Sequence, residues 1–589
     1  MLDDILLQVN KPARYIGGEW NSAKKDFDRA KIKFALAFPD LYDVGMSNLG
    51  IRILYSILNN ISDVACERFF CPSDDMERVL RSNAKEIFSL ESRRPLKEFD
   101  IIGFSLGSEL DYTNVLNILD LGAIPLKSSL RGNIYPLVIG GGPCTLNPEP
   151  MHEFFDLFVV GEAEEIILEI IEVFGKNQEE FKASKISKED LLFKLAQIEG
   201  VYAPSFYEVR YAVCGEIEEL KPKINGVPPK IKKRIVKDLD SAYFPLDWLL
   251  PYIQIIHDRI TLEIMRGCPN RCRFCQARQQ YFPLRQRSSE NILNLAQETY
   301  RHSGYEEVSL CGLSVSDYTQ MDKLLPRLVD LFKPKAVGIS LPSLKAKALV
   351  GNLFSLIATI KKTGLTFAPE AGTQRLRNLL AKDFDEREFF AALEQAYASG
   401  YQHVKLYFMV GLPSETEADL EAIVDFSLAA SELRRKVARS AAEVNISINA
   451  LIPKPHTPFQ WFGMEDPESI REKQDYLREK IKRHKKLKLN FHNRSMSFLE
   501  GVLSRGDRRL SPVILRAFKS GVKFDAWSDH FSMEKWLGAF KEANIDPHFY
   551  LKQRGDFEIL PWDFIDVGID KETLLSEFNK VSEDISYGA

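Results

Sequence analysis

Arg266-Gly-Cys-Pro-Asn-Arg-Cys-Arg-Phe-Cys-Gln-Ala277 is the stretch on which the reading of this chain turns. It places three cysteines, Cys268, Cys272 and Cys275, within eight residues at the spacing C-x3-C-x2-C. Thiolates are the preferred ligands of soft transition-metal centres. Three of them on a tight loop can hold three irons of a cubane iron–sulfur cluster and leave the fourth iron open. An open iron can chelate a small molecule through an amine and a carboxylate. A structural zinc site usually has four ligands, and here no fourth Cys or His lies near; Cys311 and His302 are the closest downstream. Buried structural thiols are common, but they do not usually sit among Arg266, Asn270, Arg271 and Arg273. The loop reads as a cluster site.

Working outward, Thr261–Met265 is a strand that leads directly into the loop. Val308–Leu310, Ala336–Ser340, Leu365–Ala368, Val404–Met409 and Asn445–Leu451 follow, each with room for a helix before the next. Over residues 260–461 this predicts six parallel strands alternating with helices. Cysteine loop and alternation together resemble the radical SAM superfamily. The resemblance implies a partial (β/α)6 barrel, a [4Fe-4S] cluster on Cys268, Cys272 and Cys275, and S-adenosylmethionine bound at the open iron. It also implies an electron donor such as flavodoxin or ferredoxin, and reductive cleavage of SAM to methionine and a 5′-deoxyadenosyl radical. Phe274, just before the last cysteine, fits an aromatic that lies near the adenine.

Further candidates stand at strand ends. Cys311-Gly-Leu-Ser-Val-Ser-Asp317 replaces the family's glycine-rich turn at the SAM amino group with a serine-rich one, giving Gly312 and Ser314. Thr366-Phe-Ala-Pro-Glu-Ala-Gly372 places Glu370 where a carboxylate is costly without a partner; in the family's terms it binds the SAM amine or ribose. Phe408-Met-Val-Gly-Leu-Pro-Ser-Glu415 resembles the family's glycine turn, giving Gly411 and Pro413, with the Glu displaced by one residue; Glu415 otherwise simply begins a helix. Alternation sets Lys405, Tyr407 and Met409 on one face and Val404, Leu406 and Phe408 on the other. Lys405 then either meets substrate or the SAM carboxylate, or pairs with Glu370. His456, in Pro453-Lys-Pro-His-Thr-Pro458, is a substrate contact or a loop histidine. The catalytic set is Cys268, Cys272, Cys275, Glu370 and Lys405.

Upstream, residues 1–30 read as a polar leader and residues 31–175 as a doubly wound Rossmann-like sheet. Strands are expected at Ile32–Phe38, Val64–Phe70, Asp100–Leu106, Leu137–Ile139 and Leu157–Val160, with helices between. Glycines at the strand ends, Gly140, Gly141, Gly142 and Gly161, allow close approach of a ligand. Val138-Ile-Gly-Gly-Gly-Pro-Cys144, Asn147-Pro-Glu149 and Val160-Gly-Glu-Ala-Glu164 resemble the cobalamin-binding-type domain that precedes many radical SAM cores. The Asp-x-His-x-x-Gly loop that ligates cobalt is absent; the region reads Pro39-Asp-Leu-Tyr-Asp-Val-Gly45. Either cobalamin binds without a protein histidine, or the fold persists without the cofactor, and both readings stand.

Residues 176–259 read as a connector without chemistry. Residues 462–589 read as a mainly helical C-terminal cap, with one long helix over Glu465–Lys488. Within it, Arg471–Lys488 carries nine Lys/Arg against three acids. Such a run is usually a solvated face; with Arg494–Arg509 it is also a candidate surface for RNA. Ser497-Phe-Leu-Glu-Gly-Val-Leu-Ser-Arg-Gly-Asp507 extends the resemblance nearly end to end, to radical SAM proteins with a cobalamin-domain-like N-terminal half and no agreed substrate. Relatives continue into a cysteine-rich tail that does not follow Ser586-Tyr-Gly-Ala589, so no auxiliary cluster is expected.

Composition bounds these readings. An apolar share of 45%, a charged share of 27% and a net charge of −5 describe a globular protein without a global basic field. Eight cysteines in 589 residues are not a secreted disulfide framework. No signal peptide or apolar span of membrane length is seen, so a cytoplasmic enzyme is expected. Three functions remain: cobalamin-assisted methyl transfer, radical modification of RNA or a ribosomal component, and a non-catalytic iron–sulfur scaffold.

Overall fold

The computed structural model describes residues 2–341 and 365–588, and these form two compact units. The first contains Met1–Asp258, Leu503–Pro547 and Phe557–Gly568; the second contains Arg259–Val502, His548–Asp556 and Ile569–Ala589. Residues 462–589 are therefore not a body of their own. They are divided between the two units.

The first unit is built on a six-stranded sheet in the order Val64–Phe70, Ile32–Phe38, Ile101–Ser105, Leu137–Gly141, Leu157–Val159, Val201–Tyr202. The first five are parallel, and the last, inside the stretch expected to be a connector, is antiparallel. Chain order reverses between Ile32–Phe38 and Ile101–Ser105, so the carboxyl ends of these strands form the switch point of a doubly wound sheet. Val64–Phe70 is buried throughout although it contains Glu67 and Arg68. Arg68 is satisfied there by Glu19 and Glu91, at 2.7 and 2.6 Å. Glu19 belongs to the first 30 residues, which pack on the sheet through this ion pair and through Phe27 against Phe99.

The second unit carries two parallel sheets. Ile260–Glu263, Glu307–Cys311 and Gly338–Ser340 form one. Leu365–Glu370, His403–Val410, Glu443–Ala450 and Leu487–Phe491 form the other. The seventh strand, Leu487–Phe491, corrects the single helix expected over Glu465–Lys488: the helix ends at Ile481. Leu487, Leu489 and Phe491 alternate with Lys488 and Asn490, a period-2 signal hidden in a lysine-rich run. The helix expected between the third and fourth strands lies outside the described residues.

Each strand of the four-stranded sheet turns its aliphatic residues to one face. Val404, Leu406, Phe408, Val444, Ile446 and Ile448 join a core with helices Glu386–Ala398, Glu417–Leu433 and Pro467–Ile481. Phe389 stacks on Phe426 there, with centroids 5.0 Å apart. The opposite face is polar and open, with Thr366 and Asn490 exposed and Lys405, Tyr407, Asn445 and Ser447 half-buried. An apolar outer face under helices and a polar inner face is the pattern of a partial barrel.

Candidate active site

The cysteine loop begins one residue after a short antiparallel ribbon, in which Met265–Arg266 pairs with Arg285–Gln286. Gly267 makes the turn between them at φ +85°, and a Cβ there would lie 2.8 Å from Leu284 Cα and 2.9 Å from the carbonyl oxygens of Pro283 and Tyr281. Only glycine fits. Asn270 Nδ2 then reaches both Cys268 Sγ, at 3.3 Å, and Asp317 Oδ2, at 3.2 Å. The Cys275 N–H donates to Cys272 O at 3.2 Å, closing the second half of the loop.

Arg273 fastens the loop from outside. Its backbone N–H donates to Leu380 O at 3.0 Å, its Nη1 to Leu379 O at 2.9 Å and its Nε to Glu577 Oε2 at 3.0 Å. Arg266, buried, is held by both oxygens of Glu263, at 2.8 and 2.9 Å. The basic surroundings read from the sequence are thus largely neutralised: Arg266 and Arg273 are structural ties, and Arg271 is exposed.

All three thiols are half-buried. Burial pushes the Cys272 thiol up to about 11, opposed by Lys382 and reinforced by Cys275, Glu370 and Cys268. Cys275 is likewise raised by burial, with Cys268 and Glu370 adding to it and backbone N–H groups opposing. Three half-buried thiols on one loop, with Asn270 Nδ2 against Cys268 Sγ, are the donor set that an iron–sulfur cluster takes. Among the described residues no group of three or more His, Cys, Asp or Glu converges on a single metal ion. A cubane has each thiolate on its own iron, so its ligands need not converge on one point. The residues fit the cluster.

The other predicted residues divide. Phe274 packs against an apolar cluster that contains Ala371, Leu380, Met409, Leu412 and Leu451, residues at the carboxyl ends of the fourth, fifth and sixth strands. Glu370 stands at this end in the left-handed region, φ +67°, and its carboxyl is raised by burial and opposed by Lys382. Gly411 turns the next strand at φ +79°, and its N–H donates to Glu415 Oε2 at 2.8 Å. Glu415 is held by Lys473 at 2.8 Å and precedes, rather than begins, helix Glu417–Leu433. Pro413 lies half-buried in this turn. On the second strand's turn, Ser314 Oγ donates to Asp317 Oδ2 at 2.6 Å, and Gly312 leaves room for Met265.

Lys405 does not pair with Glu370. It lies over the Tyr407 ring at 4.6 Å, in register with Thr366 and Asn445 near the amino ends of the strands. His456 is buried at φ +60°, its N–H donating to Gln460 Oε1 at 2.9 Å. Lys382, Asn270 and Asp317 were not legible as site residues. Asn270 and Asp317 lie in stretches quoted above, but their contact spans 47 residues, and Lys382 belongs to no quoted motif.

In the first unit, the glycines singled out from the sequence meet their own chain. A Cβ on Gly140 would strike Phe158, on Gly142 the Leu106 backbone, and on Gly161 Arg234 O at 2.2 Å; Gly141 alone has room, with Phe104 O at 4.0 Å. The switch point is also taken. Trp527 Nε1 donates to Asp40 Oδ1 at 3.0 Å, Asn114 Oδ1 accepts from the Phe524 N–H at 2.7 Å, and Thr113 Oγ1 donates to Asp525 Oδ2 at 3.0 Å. Lys523 bridges Asp74 and Glu77, both at 2.8 Å. A corrinoid at this switch point would have to displace residues 523–527. Further along, Asn147 Nδ2 donates to Ser504 O and Gly506 O, and Arg508 pairs with Glu149 at 2.6 Å. Asn147-Pro-Glu149 and the Arg505-Gly-Asp507 stretch, quoted separately from the sequence, are two sides of one contact.

The basic runs are largely neutralised. Arg471, Lys473, Arg478, Lys480, Lys482 and Lys488 all pair with acids of the same unit. Arg508 and Arg509 likewise pair with Glu149 and Asp507, and Arg505 is buried. Arg483, Lys485 and Lys486 precede strand Leu487–Phe491, at the end of the sheet away from the cysteine loop. No helix among the described residues is long and apolar enough to cross a membrane.

Residues 50–204 match the family model for radical SAM proteins, N-terminal, and residues 262–427 match that for the radical SAM superfamily. An uncharacterised protein of Methanocaldococcus jannaschii is 30% identical over 514 residues, 87% of this chain and 97% of that protein. The ribosomal protein uS12 methylthiotransferase RimO of Thermodesulfovibrio yellowstonii is 29% identical over 172 residues, 28% of this chain and 40% of the enzyme. Among solved structures, the radical S-adenosylmethionine methyltransferase TsrM of Kitasatospora setae, with cobalamin and [4Fe-4S] cluster bound, is 13% identical with a TM-score of 0.45, covering 71% of this chain and 74% of that one.

Proposed function

The chain belongs to the radical SAM superfamily, and on that premise we propose that Cys268, Cys272 and Cys275 hold its cluster and that substrate is modified at the carboxyl ends of the barrel strands. The observation that carries this reading is the packing of Phe274 among residues from three strand ends, which sets the thiol loop at that mouth. When bound, a [4Fe-4S] cluster supplies one electron to SAM, whose C–S bond cleaves to methionine and a 5′-deoxyadenosyl radical.

The chain's own residues do the rest. Gly267, Asn270 and Arg273 fix the loop, and Phe274 offers an aromatic face for adenine. Glu370 is a buried carboxylate available to the SAM amine or ribose, and Gly312, Ser314, Gly411 and Pro413 shape the flanking turns. The apolar wall of Leu412, Leu451 and Phe459 excludes water from a reactive species. Lys405, near the amino ends of the strands, lies away from this mouth and takes no part in the proposed step.

For the group transferred, a doubly wound sheet favours cobalamin-assisted methyl transfer, while the strap over its switch point weighs against a corrinoid at that place. The methylthiotransferase named above acts on a ribosomal protein. That supports a ribosomal component as substrate better than the largely neutralised basic runs support free RNA. The test is anaerobic incubation of the reconstituted chain with SAM and dithionite. Equal amounts of 5′-deoxyadenosine and methionine are expected, and none from Cys272→Ser. No 5′-deoxyadenosine from wild type with an intact cluster would leave a non-catalytic scaffold instead.

A further inference from the structure

The turn after Glu370 carries a cation that motif reading passes over. Lys382 Nζ donates to Glu370 Oε1 at 3.0 Å, and the two side chains are only 20% and 15% exposed. Its position is fixed from several directions. The Lys382 N–H donates to Arg377 O at 2.9 Å. Arg377 in turn is buried, donating to Ala371 O and Gly372 O at 3.0 and 3.1 Å, so the turn is locked to the residues that follow Glu370. Arg273 binds the same turn to the cysteine loop through Leu379 O and Leu380 O. Glu370 itself is held at φ +67°, a conformation that a non-glycine residue keeps only where its surroundings over-determine it.

The pair stands beside the cysteine loop: Arg273, the residue after Cys272, donates to Leu379 O and Leu380 O, just before Lys382, and Phe274 packs against the apolar cluster that contains Ala371, the residue after Glu370. Of the other cations beside the loop, Arg266 pairs with Glu263 and Arg273 with Glu577, Arg271 is exposed, and Arg278 is half-buried with its Nη1 donating to Gln279 Oε1 at 3.4 Å. A cubane core on three thiolates carries a net charge of about −1, and about −2 after gaining an electron. A cation in a partly desolvated site favours the more negative state, and an anion disfavours it.

We propose that Lys382 and Glu370 are an electrostatic pair that sets the reduction potential of the cluster on Cys268, Cys272 and Cys275, Lys382 stabilising its reduced form and Glu370 its oxidised form. This rests on the assignment of the cluster to those cysteines. Both act as tuning residues through the cluster's surroundings, and the electron still comes from the external reductant.

The test is a redox titration of the full-length, anaerobically reconstituted chain, followed by the electron paramagnetic resonance of the reduced cluster. At a fixed potential, Lys382→Met is expected to lower the ratio of reduced to oxidised cluster about tenfold, which is about 59 mV for one electron. Glu370→Gln is expected to raise that ratio, and Lys382→Arg to keep it within a factor of two of wild type. A Lys382→Met protein with an intact cluster and the wild-type ratio would overturn the proposal. So would a shift of the same sign in Lys382→Met and Glu370→Gln. If Lys382→Met takes up no iron, the sign of the Glu370→Gln shift decides alone. A wild-type chain that assembles no four-iron cluster would overturn the cysteine assignment itself, which is a separate outcome.

Discussion

Gly267 shows how much of the site depends on one backbone. The residue leaves the ribbon at φ +85° with three backbone atoms within 2.9 Å of where a Cβ would be. Alanine in that conformation is disfavoured by roughly 1–2 kcal/mol, and backbone atoms cannot yield as a side chain can. Gly267→Ala is therefore expected to keep its helical circular dichroism and lose most of its reconstituted iron; full iron loading would contradict the loop geometry described. At this scale the sequence was informative where chemistry is local. Three thiols at fixed spacing announce themselves, and so does a carboxylate after an apolar strand. Lys382 does not, because its meaning comes from a turn packed against a loop more than a hundred residues earlier. The lysine run reads as a solvated face, and its partners were hidden for the same reason: Glu415, Glu421 and Glu443 pair with Lys473, Lys480 and Lys488 from distant elements.

Strands and helices were legible where hydrophobicity runs unbroken. Ile101–Ser105 and Leu137–Gly141 stand where their apolar cores predict them. Leu487–Phe491 was missed because lysine and asparagine face the open side of the sheet, which leaves only Leu487, Leu489 and Phe491 to mark it. The strap of residues 523–527 was invisible for a different reason. Nothing in Lys523-Phe-Asp-Ala-Trp527 states that its partners are Asp74, Thr113, Asn114 and Asp40. Its consequence is testable. A corrinoid and the strap cannot share the switch point, so loosening the strap eases entry. Trp527→Ala in the full-length chain is expected to take up hydroxocobalamin at least tenfold more tightly than wild type, read by difference absorbance. Equal uptake by the two proteins would contradict the strap's place.

For the whole molecule, the main departure from expectation is that the units are not contiguous in sequence. Leu503–Pro547 and Phe557–Gly568 return to the first unit, and His548–Asp556 and Ile569–Ala589 to the second. Composition and periodicity describe neighbours along the chain, so they divide it into successive blocks; long-range contacts such as Arg508 with Glu149 are outside their reach. A chain cut after Asp258 would lack the strap and the Arg508 pair. The catalytic reading depends on the second unit, where thiol loop, strand ends and Lys382 turn meet. On that reading Cys268, Cys272 and Cys275 would hold a four-iron cluster and leave one iron for SAM. The most direct measurement is the electron paramagnetic resonance spectrum of the reduced, reconstituted chain with and without SAM. A four-iron signal that changes shape when SAM is added and disappears in Cys275→Ser is expected. A four-iron signal indifferent to saturating SAM would contradict it.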